Sequence, residues 1–209
     1  VSDNYQVLAF DSIEEDAAQE IAHQAIGWLI SRGYVCEAQS DSAYGSEWLG
    51  HRPGPHWREI VDSEEEQRRW ARWSERTGQP APSAAETLDD FLALKINGMA
   101  GSSQRSVQHS GENCRPEPEG VCPACNVKSQ PDVDLGELAE RWWRSETCEL
   151  VCPSCLVSSR LEDWDWQSDW AFARASLTFW NWPPISAEAI SQLSAALGGV
   201  RIRRVDGRL

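Results

Sequence analysis

Long apolar runs are missing from this chain: no stretch of about eighteen uninterrupted apolar residues occurs, so no segment reads as a membrane span. The first thirty residues also lack the basic-then-apolar layout of a secretory signal, and the expected compartment is the cytosol. Methionine occurs once, at Met99, and the chain begins at Val1, so the initiator was lost or trimmed; a cleaved leader is not expected. Common catalytic signatures are absent too: there is no glycine-rich loop with lysine, no G-x-G-x-x-G, no G-x-S-x-G and no H-E-x-x-H. Enzyme activity therefore has no positive sign in the residues. No repeat exceeds two short cysteine turns, which excludes solenoids and propellers.

What is present is a 209-residue chain, 41% apolar, long enough for one large or two small domains with a buried core. Its net charge of -14 is uneven. Residues 1 to 90 hold 18 acids against 7 bases, residues 91 to 198 hold 14 against 8, and residues 199 to 209 hold 1 against 4. A surface this negative repels phosphate backbones and suits a basic protein partner, although acidity commonly serves solubility alone.

Hydrophobic periodicity and turn residues predict an α+β chain. Tyr5 to Phe10 reads as a strand, and Ser12 with Glu15 reads as a capping box opening a helix through Ile13, Ala17, Ile21, Ala25, Trp28 and Leu29 that stops at Gly33. Tyr34 to Cys36 returns as a strand, giving a β-α-β opening. Residues 39 to 57 are dense in Gly and Pro and read as a loop. Ser63 with Glu66 reads as a second capping box, starting a charged helix with Trp70 and Trp73 that ends near Gly78. Leu92, Leu94 and Ile96 read as a strand running into an Asn97-Gly98 turn, in preference to a helix begun near Glu86. Residues 101 to 120 read as a linker between an acidic α/β part, 1 to 100, and a C-terminal part, 121 to 209. That last part ends in a strand near Arg174 to Trp180, a Pro183-Pro184 break, a helix capped by Ser186, and a strand from Val200 to Val205. The two β-α-β units are expected to share one sheet, with a cysteine module inserted between them.

The sharpest signal is a doubled motif. Val121-Cys122-Pro123-Ala124-Cys125 and Val151-Cys152-Pro153-Ser154-Cys155 are near copies separated by 26 residues. Each C-x-x-C turn directs two sulfurs to one side, and two facing turns supply the four thiolates of a tetrahedral zinc site. A four-thiolate shell leaves no open position for water or substrate, so one structural zinc per chain is expected rather than a catalytic one. A thioredoxin-like redox pair needs only one such motif at a helix start, and an iron–sulfur cluster also uses four cysteines; the doubled pattern favours zinc over both. Asp134 and Glu137 cap a short helix carrying Leu135, Leu138 and Trp142, which accounts for the long interval, and Cys148 to Val151 then runs as a strand into the second turn.

The remaining candidates are weaker. Cys36, Cys114 and Cys148 read as buried or free thiols. Of the four histidines, His23, His51, His56 and His109, only His51 and His56 are close in sequence, and structural or surface roles are the commoner use of such a pair. The twelve tryptophans read mainly as core and as cover for the cysteine module. Arg201, Arg203, Arg204 and Arg208 form the one phosphate-friendly stretch, and pairing with the acids of the same chain is the favoured reading of it.

Leu177-Thr178-Phe179-Trp180-Asn181-Trp182-Pro183-Pro184, followed by a helix and a basic strand closing on Gly207-Arg208-Leu209, resembles the ending of uncharacterised bacterial proteins that carry a C-P-x-C pair upstream. The resemblance covers the chain from the first cysteine turn onward; it implies zinc and a bacterial cytosolic protein, and no activity.

Together these features lead to the expectation of a non-enzymatic, acidic protein-binding module with structural zinc, of the immunity or antitoxin kind that masks a basic toxin. Glu64, Glu65, Glu66, Trp70 and Trp73 are the expected partner-binding residues. The alternatives are a nucleic-acid-associated zinc-ribbon factor using the C-terminal arginines, and an enzyme whose pocket is built from residues 50 to 57 and distant carboxylates.

Overall fold

Burial is continuous from Gln6 to Phe10, as in a strand covered on both faces, and Asn4–Phe10 is the first strand, β1. The computed structural model describes residues 3–11, 13–44, 49–109, 119–129, 133–144, 147–166 and 170–208. The first helix, α1, spans Ala18–Ser31. It begins later than the Ser12/Glu15 pattern suggests: Ser12 lies outside the described residues, and Glu15 is engaged by Arg105 at 2.8 Å. The buried stripe of α1 is Ala18, Ala22, Ala25 and Leu29, so Trp28 and Ile21 flank it rather than fill it.

After Gly33, whose φ of +70° ends the helix in the left-handed region, β2 (Val35–Asp41) runs out and β3 (Leu49–Pro53) returns antiparallel to it. Within the expected loop of residues 39 to 57, residues 39 to 41 and 49 to 53 are thus strand. The Gly and Pro content reflects close packing instead, because a Cβ at Gly54 would lie 2.3 Å from the Gly33 carbonyl oxygen. A 3-10 turn at Trp57–Ile60 leads into α2 (Ser63–Thr77), and α3 (Ala84–Ala93) follows. The expected strand over Leu92 to Ile96 is therefore corrected: Leu92 and Ala93 end α3, Leu94 caps it, and Lys95 and Ile96 follow outside regular structure. Ser83 and Glu86 form a complete capping box, which fixes the helix start and decides between the two patterns.

Beyond α3, β4 (Met99–Ser102) pairs with β3, and β5 (Ser106–His109) is a further strand, so the first part of the expected linker is regular structure. The cysteine module consists of β6 (Gly120–Val121), β7 (Lys128–Ser129), α4 (Leu135–Trp143), β8 (Glu149–Val151) and β9 (Ser158–Arg160). Then come β10 (Trp170–Ala173), which pairs antiparallel with β5, β11 (Ser176–Trp180), α5 (Ala187–Ala196) and β12 (Ile202–Arg208). The fold is α+β. Its largest sheet has the order β12-β1-β11-β4-β3-β2, so the strands of both terminal units do enter one sheet.

By contact the chain divides into two compact units that interleave along the sequence. One comprises Val1–Gln6, Gln24–Ala100 and Thr178–Gly199; the other comprises Val7–His23, Gly101–Leu177 and Val200–Leu209. In the first, Trp57, Phe91, Phe179 and Trp182 form an aromatic cluster with ring centroids 4.9 to 6.1 Å apart. The buried Gln6 side chain donates to the carbonyls of Trp182 and Pro183 and accepts from the Ile185 N–H, holding the Trp-Pro-Pro segment in place. In the second, the core contains Leu138, Trp142, Leu150, Leu161, Trp164 and Trp166, packed with Cys122 and Cys152.

Candidate metal centre

Each C-x-x-C sequence is the turn of a short hairpin. In the first, β6 and β7 pair, the Cys122 N–H donates to the Val127 carbonyl (3.1 Å) and the Asn126 N–H donates to the Cys122 carbonyl (2.9 Å). The second hairpin, β8 with β9, repeats this: the Cys152 N–H donates to Val157 (3.0 Å) and the Leu156 N–H to Cys152 (2.8 Å). The turn requires a left-handed residue just after each second cysteine, and Asn126 (φ 56°) and Leu156 (φ 62°) occupy those places. Near-identical sequence thus produces near-identical backbone.

The two turns face each other. Cys122 Sγ lies 3.9 Å from Cys155 Sγ and Cys125 Sγ lies 3.8 Å from Cys152 Sγ, and all four sulfurs fall within 4.8 Å of one another. Metal–sulfur bonds of about 2.3 Å in a tetrahedron place sulfurs about 3.8 Å apart, whereas a disulfide needs about 2.05 Å. The spacing fits a metal ion and excludes disulfides between the turns, so the four cysteines are positioned to hold one ion. Cys122 and Cys152 are fully buried, and Cys125 and Cys155 lie at the half-exposed side.

Four thiols packed this closely do not ionise independently. Despite the opposing Val127 N–H, burial and the neighbouring thiols push Cys125 up to about 12. Burial opposes ionisation of Cys152 as well, yet the N–H groups of Cys155 and Ser154 bring it down to about 6. Cys152 thus forms a thiolate readily, whereas Cys125 needs a nearby cation to ionise beside it. Ser129 Oγ lies 3.9 Å from Cys152 Sγ, a contact that spacing alone does not suggest.

Core residues hold the cage from behind. The stacked rings of Trp164 and Trp166 press on Gly120, where a Cβ would meet them at 3.0 to 3.1 Å. The α4 helix is capped by Asp134, which accepts from the Glu137 N–H, and buries Leu135, Leu138 and Trp142 as the sequence predicts. Trp142 Nε1 donates to Glu162, which is 5% exposed and pairs with Arg174 at 3.0 Å. This buried polar network was not readable from spacing, because its members lie scattered along the chain.

Other sequence candidates fall elsewhere. Cys36 contacts the Pro53 carbonyl and buried Cys148 the Leu138 carbonyl, while Cys114 lies outside the described residues. His51 is buried and engaged by the Cys36 carbonyl and Gln39, whereas His56 is exposed beside Glu59; neither joins a metal-binding cluster among the described residues. Two of the tail arginines pair with acids of the same chain, as favoured: Arg203, buried, meets Asp11 at 2.7 Å, and Arg201, exposed, meets Asp165 at 2.7 Å.

On α2, Asp62 rather than Ser63 is the N-cap, accepting from the Glu65 N–H at 2.8 Å. Glu66 is thereby released from a capping role and accepts from Trp70 Nε1 at 2.8 Å, while Trp70 meets Trp73 edge-on at 5.5 Å. Glu64 is exposed and pairs with Arg68. Among the described residues no helix is long and apolar enough to cross a membrane.

No family model matches the chain, and neither a curated protein nor a solved structure shows significant similarity to it. The resemblance carried by the Trp-Asn-Trp-Pro-Pro segment therefore brings no family with it. Packing accounts for those residues: Trp180 contacts Tyr5 and Tyr44, Asn181 takes a left-handed φ of 58°, and Trp182 donates to the Asn97 carbonyl.

Proposed function

We propose that the ion is zinc in a structural role, and that the protein works by binding a basic protein partner, in the manner of an immunity or antitoxin protein masking a basic toxin. The observation that carries this reading is the closed set of four sulfurs sunk against a tryptophan-rich core. With every coordination position taken by thiolate, the metal has no site for water or substrate and serves as a cross-link between two hairpins. Free thiols suit a reducing compartment, which supports the cytosol.

Charge supports the class of partner. The net charge of -14 favours basic surfaces and speeds their approach. Of the C-terminal arginines that a nucleic-acid reading would need, Arg201 and Arg203 are engaged by Asp11 and Asp165. Glu64, Glu65 and Glu66, in the first turn of α2, are the proposed contact, together with Trp70 and Trp73.

The test separates a dedicated face from general acidity. Association with a basic protein such as protamine is measured across ionic strength for three proteins: the native chain, a Glu64, Glu65, Glu66→Lys variant, and a Glu37, Glu137, Glu188→Lys control of equal charge. Salt-sensitive binding weakened far more by the first variant is the expected result. Equal weakening by both would reduce the effect to net charge and contradict a dedicated face.

A further inference from the structure

The α2 helix buries none of its residues fully, yet one of its faces is not simply solvated. Glu66, Gln67, Trp70 and Ala71 follow the i, i+4 repeat along that face, and with Pro82 and Pro183 they line a cavity of about 270 Å³. Most of the walls are apolar, and one carboxylate stands among them.

That carboxylate is incompletely matched. The Glu66 side chain is only 18% exposed; Oε1 accepts from the Trp70 indole, and Oε2 faces Arg69 at 4.0 Å, beyond hydrogen-bond reach. Burial holds its carboxyl above the ordinary range, with the Trp70 hydrogen bond and Arg69 acting the other way. An ionised group kept among apolar atoms costs free energy until a cation meets it. Trp70 adds an aromatic ring beside the carboxylate, which also attracts cations, and the proline and alanine walls suit a methylene stem.

We propose that this cavity receives a lysine or arginine side chain presented by a partner protein, its charged head on Glu66 and its stem along Trp70. The proposal rests on the reading above that the partner is basic, and it names the contact by which such a partner is anchored. Charge complementarity selects this occupant: a neutral apolar group would leave the carboxylate unmatched, and an anion would be repelled by Glu64, Glu65 and Glu66 together.

The experiment follows the Trp70 indole N–H, which already touches Glu66, in protein labelled with nitrogen-15 at tryptophan and assigned with Trp70→Phe. Blocked single residues serve as probes: N-acetyl-arginine methylamide, its lysine counterpart and the neutral norleucine counterpart, at concentrations on the order of millimolar. The two cationic probes should shift the signal saturably, norleucine should not, and Glu66→Gln should weaken the effect roughly tenfold or more. A Glu66→Gln melting temperature no lower than that of the native protein shows that any loss is not unfolding.

Equal shifts with norleucine, or full binding retained by Glu66→Gln, would overturn the proposal, since the cavity would then be merely apolar. No shift with any probe, alongside salt-sensitive protamine binding by the native chain, would overturn the pocket and leave the acidic-partner reading standing. Saturable cationic shifts without any protamine binding would support the pocket while removing the wider reading.

Discussion

Glu66 and Arg203 show opposite uses of a buried charge. Arg203 is closed in by Asp11 and by the carbonyls of Trp164 and Trp170, so its guanidinium is matched on several sides. Arg203→Ala leaves Asp11, 4% exposed, without its main partner and is expected to cost about 3 kcal/mol in a urea melt. Glu66 is instead under-matched, and its carboxyl is raised mainly by burial. The folded state therefore holds that proton more tightly than the unfolded chain, and ionisation at neutral pH reduces stability. Glu66→Gln should be at least as stable as the native protein at pH 7. Its advantage should shrink as the pH falls through the raised value and vanish below the ordinary value of 4.5. A native protein that instead loses stability relative to Glu66→Gln on acidification would show that the carboxylate is a stabilising contact. Pairing of the arginine tail with acids of the same chain was legible in the sequence, but the particular partner and the cavity were not, because each is defined by neighbours from distant parts of the chain: Arg203 meets Asp11, and Pro183 closes the cavity beside Glu66.

At the scale of elements, several local patterns read correctly, while the Ser63/Glu66 box misplaced the cap of α2 by one residue and competing patterns misled. The two cysteine hairpins, α4 with its Asp134 cap and α5 with its Ser186 cap were visible because turn or cap residues and the apolar stripe agree. The segment Leu92 to Ile96 misled because its alternation suggests a strand, while the Ser83/Glu86 box upstream had already committed the chain to a helix. The loop reading of residues 39 to 57 failed in part for another reason: glycine there permits close approach within a strand, as at Gly50 of β3, where a Cβ would lie 2.7 Å from the Ala43 Cβ. The paired hairpins also allow a prediction. Leu156 is 76% exposed and holds a left-handed φ of 62°, whereas Asn126 fills the equivalent place in the sister turn. Leu156→Asn removes strain without sacrificing burial and should raise stability by about 0.5–1 kcal/mol, read in a chemical melt of the metal-loaded protein. A loss of stability would show that the exposed leucine has packing that its surface position conceals.

For the whole molecule, the proposed metal ion would hold one compact unit together. The sulfurs belong to the same core as Trp142, Trp164 and Trp166, so losing the ion should disturb the packing of those rings as well as the turns. Metal binding to such sites contributes on the order of 10 kcal/mol at neutral pH, comparable with the whole stability of a domain. The doubled C-P-x-C motif made this centre legible at once, since both pairs carry their geometry locally; the tryptophans that pack against it were expected only as a class. The most direct test is elemental analysis of the purified protein, coupled to thermal melts and tryptophan emission before and after chelation. One zinc per chain, a large fall in melting temperature on chelation and a red shift in emission are the results predicted. A protein that contains no metal and melts unchanged in chelator would rule out a structural metal centre.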